Sequence, residues 1–255
     1  MLKEIYEYRQ LLKSNVRKEI RGKYKGSFLG VLWSFVNPLL ATLVYALVFP
    51  FLLKGSQPHY VTFIVVAILP WNWFTTVMAL GTTTVMGNGD IIKKVYFPRQ
   101  ILPISVNVSG MINFLISCLI IALFLIFSGI GFSQYIIFLP FIIIIQFFIL
   151  QGIIFITSSI NVYIRDLEYI VNFFVQLLFY GTPVLYSIDM FPKKIQTILH
   201  LNPMATIIES YRDIFFYKQC PNLLNLGIVF IFAVLLFMFG YFVFKKLEKG
   251  FAEEL

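Results

Sequence analysis

Carboxylates are missing from every long apolar run of this chain. The stretches 28–53, 60–86, 101–127, 135–160, 169–186 and 223–244 contain no Asp or Glu, and no Lys or Arg either. Proton-coupled transporters and membrane-embedded transferases work through buried ionisable groups, so the gap weighs against both. A GxxxxGK[ST] motif does not occur, which excludes nucleotide binding through a P-loop. HExxH, CxxC and EF-hand patterns are also missing, so no catalytic constellation and no metal site is expected. Histidine and cysteine number two each. His59 and His200 fall in polar connections, while Cys118 sits in an apolar run and Cys220 in a polar one, a placement that predicts no disulfide. The N-terminus is charged and amphipathic, unlike a cleavable leader.

What is present is apolar. Hydrophobic residues make up 59% of the chain and charged ones 13%, more oil than a soluble domain of this length can bury. The six charge-free runs suit helices crossing a hydrocarbon layer of about 30 Å. The formal charge of +8 is concentrated near the N-terminus, where eight of the 20 basic residues precede Phe28. Six crossings put both ends on one side, and fifteen of the basic residues then share that side. This bias predicts cytosolic termini rather than nucleic-acid binding.

The connections carry structure of their own. Ile5, Tyr8, Leu12, Val16 and Ile20 recur at helical steps with Lys3, Arg9, Lys13, Arg17 and Arg21 on other sides. That is an interfacial amphipathic helix. After Gly87-Asn88-Gly89, residues 90–97 read as a short cytosolic helix ended by Pro98. Between runs five and six, residues 187–222 predict two short external amphipathic helices. The first covers 192–200; the second is capped by Asn202 with Pro203 at its first turn and carries Met204, Ile207, Ile208, Tyr211 and Phe215. The expected fold is an all-α integral membrane protein of six transmembrane helices. Residues 1–27 form the interfacial helix and residues 28–255 a single transmembrane domain.

Aromatic and amide side chains recur on particular faces. Trp33, Asn37 and Tyr45 lie four or eight apart in run one; Trp71, Trp73 and Phe74 follow Pro70 in run two; Asn172, Gln176 and Tyr180 share a face of run five. Rings and amides suit sugars, which present C–H faces and hydroxyls. Such rings also form interfacial belts, and both readings stand at this point. Six crossings enclose only a narrow path, so a symmetric second copy is expected.

Lys23-Tyr24-Lys25-Gly26-Ser27-Phe28-Leu29-Gly30-Val31-Leu32-Trp33 with Asn37-Pro38 resembles the opening of the ABC-2 type permeases that export polysaccharides and polyol phosphates. Phe97-Pro98-Arg99 with Leu102-Pro103, Arg165-Asp166-Leu167, Thr182-Pro183-Val184 with Tyr186, Asn202-Pro203-Met204 and Tyr211-Arg212 follow in the family's order. Gln100 departs from it, standing where an acidic residue is expected. The resemblance implies a homodimer in the bacterial plasma membrane, working with two copies of an ATP-binding subunit that hold ATP and Mg; this chain would bind no cofactor. It further implies a substrate such as O-antigen, teichoic acid or capsule on an undecaprenyl diphosphate carrier.

Arg17, Arg21, Lys23 and Lys25, with Arg212 at the outer end, are then expected to meet the pyrophosphate headgroup. Asp90, Ile91, Val95, Tyr96, Phe97 and Arg99 would dock the ATPase, and the external helices near 190–217 would gate the exit. A drug or lipid exporter of the same family, and less readily a polyprenyl-sugar transferase, are the alternatives.

Overall fold

The computed structural model describes residues 2–22, 33–52 and 58–255, and among them every regular element is helical. The chain opens with α1 (Leu2–Glu7) and α2 (Arg9–Gly22), followed by α3 (Trp33–Leu52) and α4 (Tyr60–Thr83). Short α5 (Gly89–Lys94) leads into α6 (Ile101–Phe127), α7 (Leu139–Ile160) and α8 (Leu167–Tyr180). Then come α9 (Lys193–His200), α10 (Pro203–Arg212), α11 (Leu223–Leu247) and α12 (Phe251–Glu254). Among the described residues four stretches are long and apolar enough to cross a membrane: Tyr60–Thr83, Ile101–Phe127, Gln134–Ile160 and Leu223–Glu254. They coincide with runs two, three, four and six, because in hydrocarbon only a helix satisfies a lone segment's backbone. In α3, 20 residues run without a charge, a rise of about 30 Å.

Helix α8 is shorter than the sequence predicts. It ends at Tyr180 after 14 residues, a rise of about 21 Å, and residues 181–186 turn instead of continuing. Pro183 has no N–H to extend the ladder, and the Thr182 hydroxyl donates back to the Leu178 carbonyl at 2.6 Å.

Helix α4 is the hub. Residues all round it are buried, including Phe63, Ile64, Val65, Val66 and Ala67, the pattern of a helix enclosed on every side. Around it pack α3, α6, α7, α8 and α10. Pro70 interrupts its backbone ladder, and the Pro70 carbonyl accepts a hydrogen bond from Gln146 Nε2 at 2.9 Å. Helix α11 lies outside this group against α7, where Gly152 and Gly240 bring the two backbones together. A Cβ on Gly240 would run into the Gly152 carbonyl, so the crossing tolerates only hydrogen there.

A second core closes the end of the bundle that holds both termini. Val85, Ile92, Phe97, Leu102, Phe155, Val162, Phe244 and Phe251 are buried together, with Ile5, Tyr8, Leu11 and Leu12 of α1 and α2 packed against them. At the opposite end, one expectation is corrected. Helix α9 is largely exposed, but α10 is no surface helix. Met204, Ala205, Thr206, Ile207, Ile208, Ser210 and Tyr211 are all buried, because α4, α7 and α11 cover it on several sides. Its polar positions close on themselves: Ser210 Oγ donates to the Thr206 carbonyl at 2.7 Å.

Candidate functional site

The aromatic residues of α3, α4 and α8 meet. The Tyr45 ring lies 6.2 Å from that of Phe179, Phe179 lies 5.7 Å from Trp71, and Trp71 stacks on Phe74 at 4.9 Å. Tyr180 packs edge-on against Phe179 at 5.5 Å. Outward from this cluster, Asn172, Gln176 and Tyr180 on α8 and Trp33 and Asn37 on α3 are exposed; Tyr180 is 73% exposed. Each of the two helices exposes rings and amides, and the Tyr45–Phe179 contact that links them is backed by a wall of buried rings, Trp71 and Phe74 of α4.

Trp71, Trp73 and Phe74, expected on a substrate path, are each only 3% exposed. Trp71 and Phe74 form the wall. Trp73 turns the other way, stacking on Phe114 at 5.4 Å beside Gly110, and belongs to the α4–α6 contact. Phe179, which periodicity alone did not single out, joins the three helices. Its only signal in the sequence is a place beside Tyr180.

Behind the wall runs a buried polar chain. Tyr211 donates to Gln146 Oε1 at 3.0 Å, and Gln146 donates in turn to the Pro70 carbonyl. The link ties α10 through α7 to the interruption in α4. Nearer the termini, Asn107 Nδ2 donates to Gln151 Oε1 at 3.1 Å and to the Phe147 carbonyl at 3.0 Å.

Arg212 is a correction. Expected at the headgroup, it is 2% exposed and its guanidinium is committed to the backbone. Nη1 donates to the Tyr186 carbonyl at 3.0 Å and Nη2 to the Val184 carbonyl at 2.7 Å, while the cation sits 3.5 Å over the Phe63 ring. Arg212 thus clamps the turn that ends α8 onto α4 and α10. Asn202 reinforces it, accepting from the Met204 N–H as N-cap and donating to Gly181 O and Thr182 Oγ1.

One turn before Arg212 is Glu209, with His200 Nδ1 at 3.5 Å. Burial, then Asp213 and Asp189, push the Glu209 carboxyl up to about 7, against the pull of Arg212. A raised acid takes up its proton on folding. Its contribution is full below the ordinary value of 4.5 and is lost as pH rises through about 7. Glu209→Gln should therefore flatten the fall in stability across that window, measured as thermal unfolding at stepped pH; an unchanged slope would remove Glu209 as its source.

The other end offers a contrasting surface. Asp90, Ile91, Val95 and Tyr96 are exposed, Tyr96 by 92%. Phe97, expected beside them, is buried in the second core. Arg99 also turns inward, donating to the Glu248 carbonyl and lying over the Phe251 ring. These two hold the turn; the other four form its outer surface.

Gln100 is buried and donates to Glu4 Oε2 at 2.9 Å, where an acid would set carboxylate against carboxylate. Lys18 Nζ, 3.2 Å from Asn88 Oδ1, ties α2 to the start of α5. Of the predicted headgroup cations, Arg17 lines a groove between α2 and α6 rather than between α3 and α8. Lys23, Lys25 and the Arg21 side chain lie outside the described residues. Among the described residues no group of three or more His, Cys, Asp or Glu is placed to hold a metal ion.

Residues 10–216 match the ABC-2 type transporter family. The chain is 34% identical over 257 aligned residues to an O-antigen export system permease protein of Myxococcus xanthus, covering 100% of this chain and 99% of that one. Two O-antigen export system permease proteins of Klebsiella pneumoniae are each 35% identical over 239 residues, covering 93% of this chain and 92% of theirs. With the family matched over most of its length and relatives matched end to end, this multi-pass chain belongs to the ABC-2 type transporter family.

Proposed function

We propose that this chain is the membrane-spanning permease of a polysaccharide exporter, passing a lipid-linked glycan of the O-antigen type from the cytosolic to the outer face. The rings and amides that α3 and α8 expose carry the proposal: Trp33, Asn37, Asn172, Gln176 and Tyr180, on two helices joined through Tyr45 and Phe179. In a bilayer such groups are out of place against acyl chains. They suit ring stacking and hydrogen bonding to a sugar polymer. Counting α3 and α8 with the four longer helices makes six crossings with both termini cytosolic, and a second copy would complete the path.

A diphosphate carrier cannot cross hydrocarbon unaided, since an unpaired charge costs on the order of tens of kcal/mol to bury. The basic segment entering α3, with Arg21, Lys23 and Lys25, is proposed to receive that headgroup. The chain carries no nucleotide motif, so the energy is assigned to a separate ATP-binding subunit docking on Ile91, Val95 and Tyr96, with Asp90 at the edge. The exposed apolar surface of this turn supports that assignment.

Two experiments test the proposal. Trp33→Ala with Tyr45→Ala should cut surface polymer severalfold while the complex still assembles; normal export in the double variant would remove the path. Tyr96→Asp should weaken co-purification of the ATP-binding subunit by about 30-fold, since an interface aromatic of this exposure is worth ~2 kcal/mol. Retention at wild-type levels would place the docking surface elsewhere.

A further inference from the structure

We propose that the groove between α2 and α6 is a binding site for one anionic phospholipid, separate from the substrate path. The groove encloses about 460 Å³ and is lined by Leu12, Lys13, Val16, Arg17, Ile20, Val108 and Ile112, a size in the range of small-molecule sites, roughly 300–1,000 Å³. Its floor is apolar because Leu12, Val16 and Ile20, four residues apart, turn one face of α2 to Val108 and Ile112 on α6. Lys13 and Arg17 are one turn apart on the adjoining edge, both exposed, and no carboxylate lines the groove. Two cations beside an apolar trough fit a phosphate diester with an attached acyl chain.

The course of α6 beyond the groove favours a lipid over any other occupant. Val108, Ile112, Leu115 and Leu119 follow one another at steps of four, three and four. They form a single helical stripe that grows more exposed outward, with Leu115 45% and Leu119 67% exposed. Helix α6 is long and apolar enough to cross a membrane, so this exposed stripe is set to face acyl chains. A lipid headgroup held between Lys13 and Arg17 has its chain laid along that stripe without a break. The site also bears on the rest of the protein, because Lys18 on α2 reaches Asn88 at the start of α5. An occupied groove holds α2 where it can make that contact.

The test uses the full-length protein purified in detergent, delipidated and titrated with dioleoyl phosphatidylglycerol or dioleoyl phosphatidylcholine, with bound lipid counted by native mass spectrometry. The wild type should retain one phosphatidylglycerol in preference to phosphatidylcholine. Lys13→Gln with Arg17→Gln should bind it roughly 30-fold more weakly, the effect of two surface cations near an anionic headgroup. Lys3→Gln with Arg9→Gln removes the same charge outside the groove and should bind as the wild type does. Ile112→Trp fills the floor with both cations kept and should also lose the lipid.

Equal loss in the two charge variants would reduce the site to diffuse attraction and overturn the proposal, as would equal binding of the two lipids. Displacement of phosphatidylglycerol by an equal concentration of undecaprenyl diphosphate would assign the groove to substrate instead, and would likewise overturn it.

Discussion

Gly240→Ala should destabilise this protein by about 3 kcal/mol, at the upper end of overpacking costs, while Gly227→Ala on the same helix should be neutral or stabilising by up to ~1 kcal/mol. The two substitutions add the same methyl group to α11. At Gly227 nothing lies within 4 Å of the new atom, so only the better helix propensity of alanine is felt. At Gly240 the new atom meets the carbonyl group and Cα of Gly152, and backbone cannot swing aside as the end of a side chain can. Relief requires α7 and α11 to part, which loosens Phe148–Phe237 and Phe155–Tyr241 packing along the same seam. Thermal unfolding in detergent gives the comparison directly. Shifts of the same sign and size at the two positions would show that the helices do not cross there.

Arg212→Ala should cost about 3–5 kcal/mol, because it leaves the buried Val184 carbonyl and the half-buried Tyr186 carbonyl without their donor at ~1–3 kcal/mol each and empties the space over Phe63. It also removes the positive charge that holds the Glu209 carboxyl down, so Glu209 should titrate still higher in the variant. Arg212→Lys should recover less than half of the loss. An ammonium on a flexible stem is a point charge and does not reproduce the planar fork that reaches two carbonyls at once.

Limited proteolysis locates the effect. The turn at 184–191 should become cleavable in Arg212→Ala while α7 and α11 stay protected. A variant as stable and as resistant as the wild type would mean that the guanidinium does not hold this turn. The outcome bears on export, because the clamp holds the turn that follows α8 and so steadies Tyr180 at the end of the proposed path.

Which parts of this were legible in residues alone follows from the range over which each force acts. Runs two, three, four and six were readable almost to their ends, since a charge-free stretch of helical length has one backbone solution in hydrocarbon. The short helix expected over 90–97 ends already at Lys94 with Val95 extended, three residues before Phe97 enters the second core, whereas the cap at Asn202 was readable because its partner, the Met204 N–H, lies two residues away. The length of α8 was not, although Gly181-Thr182-Pro183 stood in view, because those residues permit either a kink or a stop. The clamp from Arg212, 28 residues on, accompanies the stop.

The sequence by itself determined that the chain is helical, membrane-crossing, without nucleotide or metal motifs of its own, and basic at one end. Only the tertiary structure decided that Trp73 is core while Tyr180 is surface, that Phe97 and Arg99 support a turn whose exposed face is Ile91, Val95 and Tyr96, and that Arg212 serves the backbone. The physical reason lies in the solvent. In water, polarity separates the outside of a helix from its inside; in a bilayer an acyl chain and a neighbouring helix are equally apolar. A buried ring and a lipid-facing ring are then written alike, and only the packed neighbours tell them apart.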